Sequence, residues 1–420
     1  MPMTPRILLV GTADTKADEL LYLQRCIEAQ GGEARIMDVG VLGAPAFRPA
    51  IPNHEVAAAA HTTLAALAAH GDENAAMTKM AEGAVALALE LYARGEAHGL
   101  LALGGTMGTD LALDVTAALP LGMPKFIVTT VAYSHLIPPE RLAPDLMMIL
   151  WAGGLYGRNG ICDAILSQAA GAVVGACRSV EAARDTRPRV AVSSLGKSCL
   201  SYMVRLAPAL AERGYEPVVF HCTGMGGRAM EALTAQRRFV AVFDFCLAEV
   251  ANLMHGSVVN AGPERLRAAG LAGVPQLVAP GASDMVDVQT WAALPQEFAD
   301  RAYHAHNRLI ASVGATAGEK RALASDVCER LASACGPTAL LLPRRGIHAW
   351  DKAGQPMHDP AGHAAFLDAF VDAIRGAART PVELHDLDLH INDDAFVDHA
   401  LAIFDRWVAE GKVPAGVRAG

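Results

Sequence analysis

The 420-residue chain contains no Cys-x-x-Cys pair, no excess of positive charge and comparatively few charged residues. It also has no uninterrupted apolar run of roughly 18 residues, so no membrane span is expected. Each absence narrows the field. The eight cysteines lack zinc-ribbon spacing, and Cys177, Cys199, Cys222 and Cys246 lie in or beside apolar runs, where they read as small core residues. With no basic and apolar leader after Met1, a reducing, cytoplasmic setting is expected. A formal net charge of -9 and a pI near 5.9 argue against a domain that binds nucleic acid by neutralising its phosphates. Charged residues make up 19% and apolar residues 52%, a balance that favours a packed globular chain over a disordered one. The length suffices for two or three domains.

Two catalytic signatures are missing as well. No Gly-x-Ser-x-Gly elbow occurs, which disfavours an α/β-hydrolase mechanism. Gly196-Lys197-Ser198 supplies the tail of a Walker loop, but Ala191 stands where the pattern needs its first glycine.

What is present is an alternation of short β-rich runs with helical patterns. Strands are expected at 6–11, 34–39, 99–103, 125–130 and 146–151, with helical spacing over 55–69 and 75–94. A charged, proline-containing segment at 181–189 reads as a linker. Beyond it the alternation restarts, with strands expected at 190–194, 217–222, 239–245, 276–278 and 339–342 and a final helix at 397–407. The economical architecture is two α/β domains, 1–184 and 185–420. Each is a Rossmann-like, mainly parallel sheet flanked by helices, with a cleft between them.

In such sheets ligands sit beyond the carboxyl ends of the strands, where helix N-termini point N–H groups outward. Three strand ends of the first domain carry suitable residues. Gly11, Thr12, Asp14, Thr15 and Lys16 follow the first strand, and Thr15 with Asp18 forms a helix-capping pattern. Gly104, Gly105, Thr106, Gly108 and Thr109 follow the third, where successive N–H groups can form an anion-binding nest. Thr129 and Thr130 end the fourth.

The second domain offers an anion site from Gly196, Lys197 and Ser198 with Thr223, Gly224, Gly226, Gly227 and Arg228, the arginine being suited to bidentate contact. Asp14, Glu249 and Asp284 are the candidate catalytic carboxylates. His304, His306 and the histidines of 385–390 lack a trustworthy metal spacing and are expected at the surface. No metal site is assigned.

Taken in order, several segments resemble the ATP-binding inhibitory domain family of the tomato mosaic virus resistance protein and its bacterial relatives. They are GTADTKADEL at 11–20, LGGTMGT at 103–109, PKFIVTTVA at 124–132, VFHCTGMGGRAMEAL at 219–233, LAEVANLMHG at 247–256, GASDMVD at 281–287 and LLPRRGIHAWDKAGQPMHDP at 341–360. The chain departs from the family pattern at Met107, at Tyr133-Ser134 and at Trp151-Ala152-Gly153-Gly154.

The resemblance implies two Rossmann-like subdomains, ATP in the N-terminal one, and a tendency to form a homodimer. It places the nucleotide on the three strand ends named above, with Mg²⁺ as an optional companion. Three readings stay open at this level. One is an ATP-binding protein with weak or coupled hydrolysis. Another is an enzyme acting on a small organic acid or phosphorylated metabolite in the cleft. The third is a ligand-gated, non-catalytic interaction module. A nucleotide or small anionic metabolite is the expected partner, with neither nucleic acid nor membrane.

Overall fold

The computed structural model describes residues 4–69, 71–180, 186–196, 201–376 and 382–417. Two compact units emerge, Met1–Ala182 and Ala183–Gly420.

The N-terminal unit runs β1 (Arg6–Gly11), α1 (Ala17–Ala29), β2 (Glu33–Asp38), α2 (Asn53–Ala59), α3 (Leu64–Ala69), α4 (Glu73–Ala93), β3 (Gly99–Gly104), α5 (Thr106–Ala118), β4 (Lys125–Thr129), β5 (Leu146–Leu150) and α6 (Gly160–Ser179). Its five strands are ordered β2-β1-β3-β4-β5, and every neighbouring pair is parallel. The cause is legible in β1. Leu8 and Val10 pack on the side of α4 and α5, whereas Ile7 and Leu9 pack against α1 and α6. A strand buried on both faces needs a continuous apolar run rather than alternation.

Helix α6 is long and apolar enough to cross a membrane by length and composition alone. Its Cys162, Leu166, Ala169, Ala170, Val173 and Val174 are instead buried within the unit, against α1 and the sheet. The single helix expected over 55–69 is two helices. His61 takes φ of 56° between them, a left-handed conformation that a continuing helix excludes.

The C-terminal unit runs β6 (Arg189–Ser194), α7 (Met203–Glu212), β7 (Glu216–His221), α8 (Met225–Ala235), β8 (Ala241–Asp244), α9 (Ala248–Met254), α10 (Ala268–Ala272), β9 (Gln276–Val278), β10 (Met285–Gln289), β11 (Tyr303–Ala305), β12 (Ile310–Gly314), α11 (Ala317–Ala332), β13 (Thr338–Pro343), α12 (Pro360–Gly376), β14 (Val382–Leu387) and α13 (Asp394–Ala409). A parallel six-stranded sheet has the order β14-β13-β9-β8-β6-β7. Beside it lies a second sheet, β10-β12-β11, which is antiparallel and was not anticipated. Its strands are only three to five residues long and mix polar with apolar side chains, so they carry little periodic signal. Strand β14 carries no apolar run either. It is an edge strand reading VELHDL, polar because only part of it is buried.

Two glycines in helices make opposite predictions. A Cβ on Gly83 in α4 would lie 1.9 Å from the Val56 carbonyl oxygen in α2, whereas one on Gly175 in α6 would meet nothing within 4 Å among the described residues. Gly83→Ala should therefore destabilise by about 1–3 kcal/mol through overpacking. Gly175→Ala should stabilise by about 0.5–1 kcal/mol through lost chain entropy. Urea unfolding of both variants checks the signs.

Candidate functional site

Parallel pairing brings the ends of β1, β3 and β4 to one edge. Val10 pairs with Ala102 and Gly104 with Thr129. At the end of β1 the chain turns sharply: Lys16 N donates to the Thr12 carbonyl at 2.9 Å, and the hydroxyls of Thr12 and Thr15 meet at 2.8 Å. The expected Thr15 cap is therefore not made. Thr15 spends its hydroxyl on Thr12, α1 starts after Lys16, and no side chain caps it. The Lys16 ammonium lies 3.4 Å from the Thr15 carbonyl and over the Tyr156 ring, 5.3 Å from its centre.

Asp38, at the end of β2, organises this turn. Its Oδ1 accepts from Ala13 N at 2.9 Å and from Gly40 N at 2.8 Å. Asp14 Oδ2 accepts from Leu42 N at 2.9 Å. Gly40 is glycine because a Cβ there would stand 2.6 Å from the Asp14 carboxyl carbon. The other oxygens, Asp14 Oδ1 and Asp38 Oδ2, are buried without a hydrogen-bond partner among the described residues. Burial raises the Asp38 carboxyl above its ordinary range, the charge of Asp14 adds to that, and the two N–H donors oppose it.

The end of β3 is open. A Cβ on Gly104 would be 2.6 Å from Gly108 Cα, so this crossing requires glycine. Among the described residues, Gly105 begins α5 without a side-chain cap and has nothing within 4 Å of its missing Cβ. Thr106 and Met107 are exposed, and the first N–H groups of a helix have no intrahelical acceptor. Thr109 and Thr129 behave differently from the expectation. Both are buried, and their hydroxyls lie 2.5 Å apart. Thr109 also donates to the Gly105 carbonyl at 2.7 Å, and Thr129 Oγ1 accepts from Val131 N at 3.1 Å. They lock α5 to β4 and hold the open turn in place. Thr130 follows in the partly buried turn after β4.

The glycine-rich turn of the C-terminal unit does hold an anion, and the anion is the protein's own. Glu249 Oε1 accepts from Gly224 N at 2.6 Å and Gly227 N at 3.1 Å. A Cβ on Gly227 would lie 1.7 Å from Glu249 Oε2, and one on Gly226 1.9 Å from the His221 carbonyl. Glu249 Oε2 accepts in turn from Arg265 Nε at 2.8 Å. The buried Arg265 guanidinium also binds both Asp244 oxygens, the Cys246 carbonyl and Glu231. Burial works against its charge, but Asp244 and Glu249 more than restore it.

Thr223 precedes this turn, and Arg228 follows it with Nη2 at 3.3 Å from the Asn260 carbonyl. Gly196 takes φ of 70°, while Lys197 and Ser198 lie outside the described residues.

The third candidate carboxylate, Asp284, follows β9, and its Oδ1 lies 3.0 Å from His348 Nε2 after β13. Burial pushes the Asp284 carboxyl up, but His348 and Lys320 outweigh it and hold it at about 2. Burial pushes the His348 imidazole down, and Asp284 more than reverses this.

Sequence reasoning missed Asp38 and Arg265 as organising groups. Asp38 had a usable signal, an acid closing a strand beside a candidate ligand turn. Arg265 sits in an unpatterned segment and had none.

The fold and its strand-end turns define a two-unit, Rossmann-like α/β protein. The chain belongs to the uncharacterised protein family UPF0261: its N-terminal domain matches residues 5–182 and its C-terminal domain residues 187–408. A UPF0261 protein of Brucella melitensis is 54% identical over 98% of both chains. One from Clostridium tetani is 32% identical over 94% of this chain and 96% of its own. The ToMV resistance protein Tm-1 of Solanum lycopersicum is 29% identical over 94% of this chain, which spans 55% of that protein.

Two outcomes follow from the buried charges. Glu249→Ala leaves Arg265 short of a partner and should cost about 3–5 kcal/mol in urea unfolding. The Asp284–His348 pair should give pH-dependent stability. The depressed Asp284 stabilises fully above its unfolded pKa, about 4, and less as pH falls toward about 2. The raised His348 stabilises fully below its unfolded pKa, about 6.5, and progressively less as pH rises from there through its folded value. The stability difference between wild type and Asp284→Asn should therefore peak between about pH 4 and 6.5.

Proposed function

We propose that the N-terminal unit binds a nucleotide, ATP, along the edge formed by β1, β3 and β4. The observation that carries this reading is the uncapped start of α5. Gly105 to Gly108 present backbone N–H groups without a covering side chain, and the locked Thr109–Thr129 pair holds them still. A helix start of this kind suits phosphate oxygens by both hydrogen bonding and dipole. Lys16 stands at the neighbouring strand end and would supply positive charge. The resemblance to the ATP-binding inhibitory domain family and the likeness to Tm-1 over most of the chain favour the same assignment.

The orphaned oxygens of Asp14 and Asp38 fit a nucleotide as well. Two carboxylate oxygens without donors suit a hard cation shared with phosphates, the usual way Mg²⁺ is held in such sites. Asp14 is the better placed of the two, because Asp38 is fully buried.

Gly105 gives the cleanest test. Its φ of -73° and ψ of -158° suit any L-residue, and the space around it is open, so Gly105→Leu should fold normally. The new side chain would cover the α5 start. Wild type should gain thermal stability with millimolar ATP and Mg²⁺, since a ligand specific to the folded state raises stability. Gly105→Leu should lose that gain while keeping its unliganded melting temperature. No gain in wild type would reject the nucleotide reading.

A further inference from the structure

The small antiparallel sheet carries chemistry on one face. Register places Asp287 opposite Ser312 and Ser312 opposite His304. The alternate residues Val286, Val288 and Val313 pack with Phe298. On the polar face, Asn252 of α9 clamps Asp287: its Nδ2 donates to Oδ2 at 2.8 Å, and its Oδ1 accepts from Asp287 N at 2.7 Å. Ser312 Oγ donates to Asp287 Oδ1 at 2.6 Å, and His306 Nε2 stands 2.8 Å from the same serine oxygen.

A serine hydroxyl has one proton, and this one goes to Asp287. His306 Nε2 must therefore be the donor in its bond to Ser312, which fixes the tautomer and leaves the lone pair on Nδ1. Trp350 packs against this histidine, with ring centres 4.2 Å apart, and against His304 at 4.5 Å. Trp350 N donates to His348 Nδ1 at 3.2 Å, so the Asp284–His348 pair anchors the far side of the same cluster.

Ser312 is 1% exposed and its hydroxyl is committed on both sides, so it is no nucleophile for an incoming substrate. His306 is only partly buried, and its Nδ1 makes no hydrogen bond among the described residues. Burial lowers its pKa below the ordinary value, His304 adds to that and Asp287 opposes it, which keeps the ring neutral near pH 7. Proton transfer, rather than acyl transfer, is the chemistry this arrangement permits.

We propose that His306 is the general base of a second site, in the C-terminal unit, with Ser312 and Asp287 as positioning residues, and that it removes a proton from carbon beside a carbonyl or imine group of a small organic substrate. In that step Nδ1 gains the proton, the C–H electron pair becomes the new double bond, and the negative charge moves to the substrate oxygen or nitrogen. The imidazolium formed directs its Nε2–H at Ser312 and Asp287, and it is restored by returning the proton to product or solvent. The inference does not depend on nucleotide binding by the other unit.

The probe is 5-nitrobenzisoxazole, which a base alone opens: the ring C–H proton is taken, the N–O bond breaks, and a coloured cyanophenolate leaves. The full chain should turn it over faster than His306→Gln by about tenfold or more. Its rate should rise with pH to a plateau whose midpoint lies below about 6.5. Ser312→Ala should lower the rate and move the midpoint, which a merely structural serine would not do, while His54→Gln changes neither. Should His306→Gln fail to fold, ¹⁵N NMR of wild type decides, with a protonated Nε2 and a bare Nδ1 expected at pH 7. Equal rates in wild type and His306→Gln, a rate no better than free imidazole, or a protonated Nδ1 in the neutral ring would overturn the assignment.

Discussion

Parallel strand pairing is the constraint on which the rest depends. It forces a helical crossover after each strand and gathers the carboxyl ends of all strands on one edge. In the N-terminal unit this buries β1 on both faces and brings the strand ends at Gly11, Gly104 and Thr129 to one edge. The same pairing in the C-terminal unit sets the turns after β7, β8, β9 and β13 along its own edge. Where chemistry can occur is thus decided by topology before any particular side chain is chosen.

The two glycine-rich turns show how similar local sequences reach different ends. Both follow a strand, open a helix and use glycines where a Cβ would strike neighbouring atoms. At Gly104–Thr109 the first N–H groups stay open, because threonines behind the turn satisfy one another. At Thr223–Arg228 the N–H groups are satisfied internally by Glu249, whose charge is balanced by Arg265. Removing such a carboxylate would leave a buried cation without its partner, so the arrangement resists substitution. One turn opens its helix without a side-chain cap, and the other is closed by a residue 25 positions further along the chain.

Most of the architecture was legible because buried parallel strands write themselves as apolar runs. The strands at 6–11 and 276–278 were read with their observed bounds, and most others to within a residue or two. Strands β10 to β12 were not, since a short sheet with one polar face carries no apolar run. Candidate site residues were legible only where a turn pattern marked them, as at Gly104, Gly105 and Asp14. Asp38 and His348 act through partners far away in sequence, and no local spacing announces that. His306 was expected at the surface, because a His-x-His pair says nothing of the tryptophan packed against it.

Whether backbone amides at the start of α5 hold phosphate is decided by amide-resolved NMR of the full chain titrated with ATP and Mg²⁺. The amides of Thr106, Met107 and Gly108 should shift furthest, with those of the Thr12–Lys16 turn next. Saturating ATP that leaves these amides unmoved, or moves only those of the Thr223–Arg228 turn, would contradict phosphate binding there.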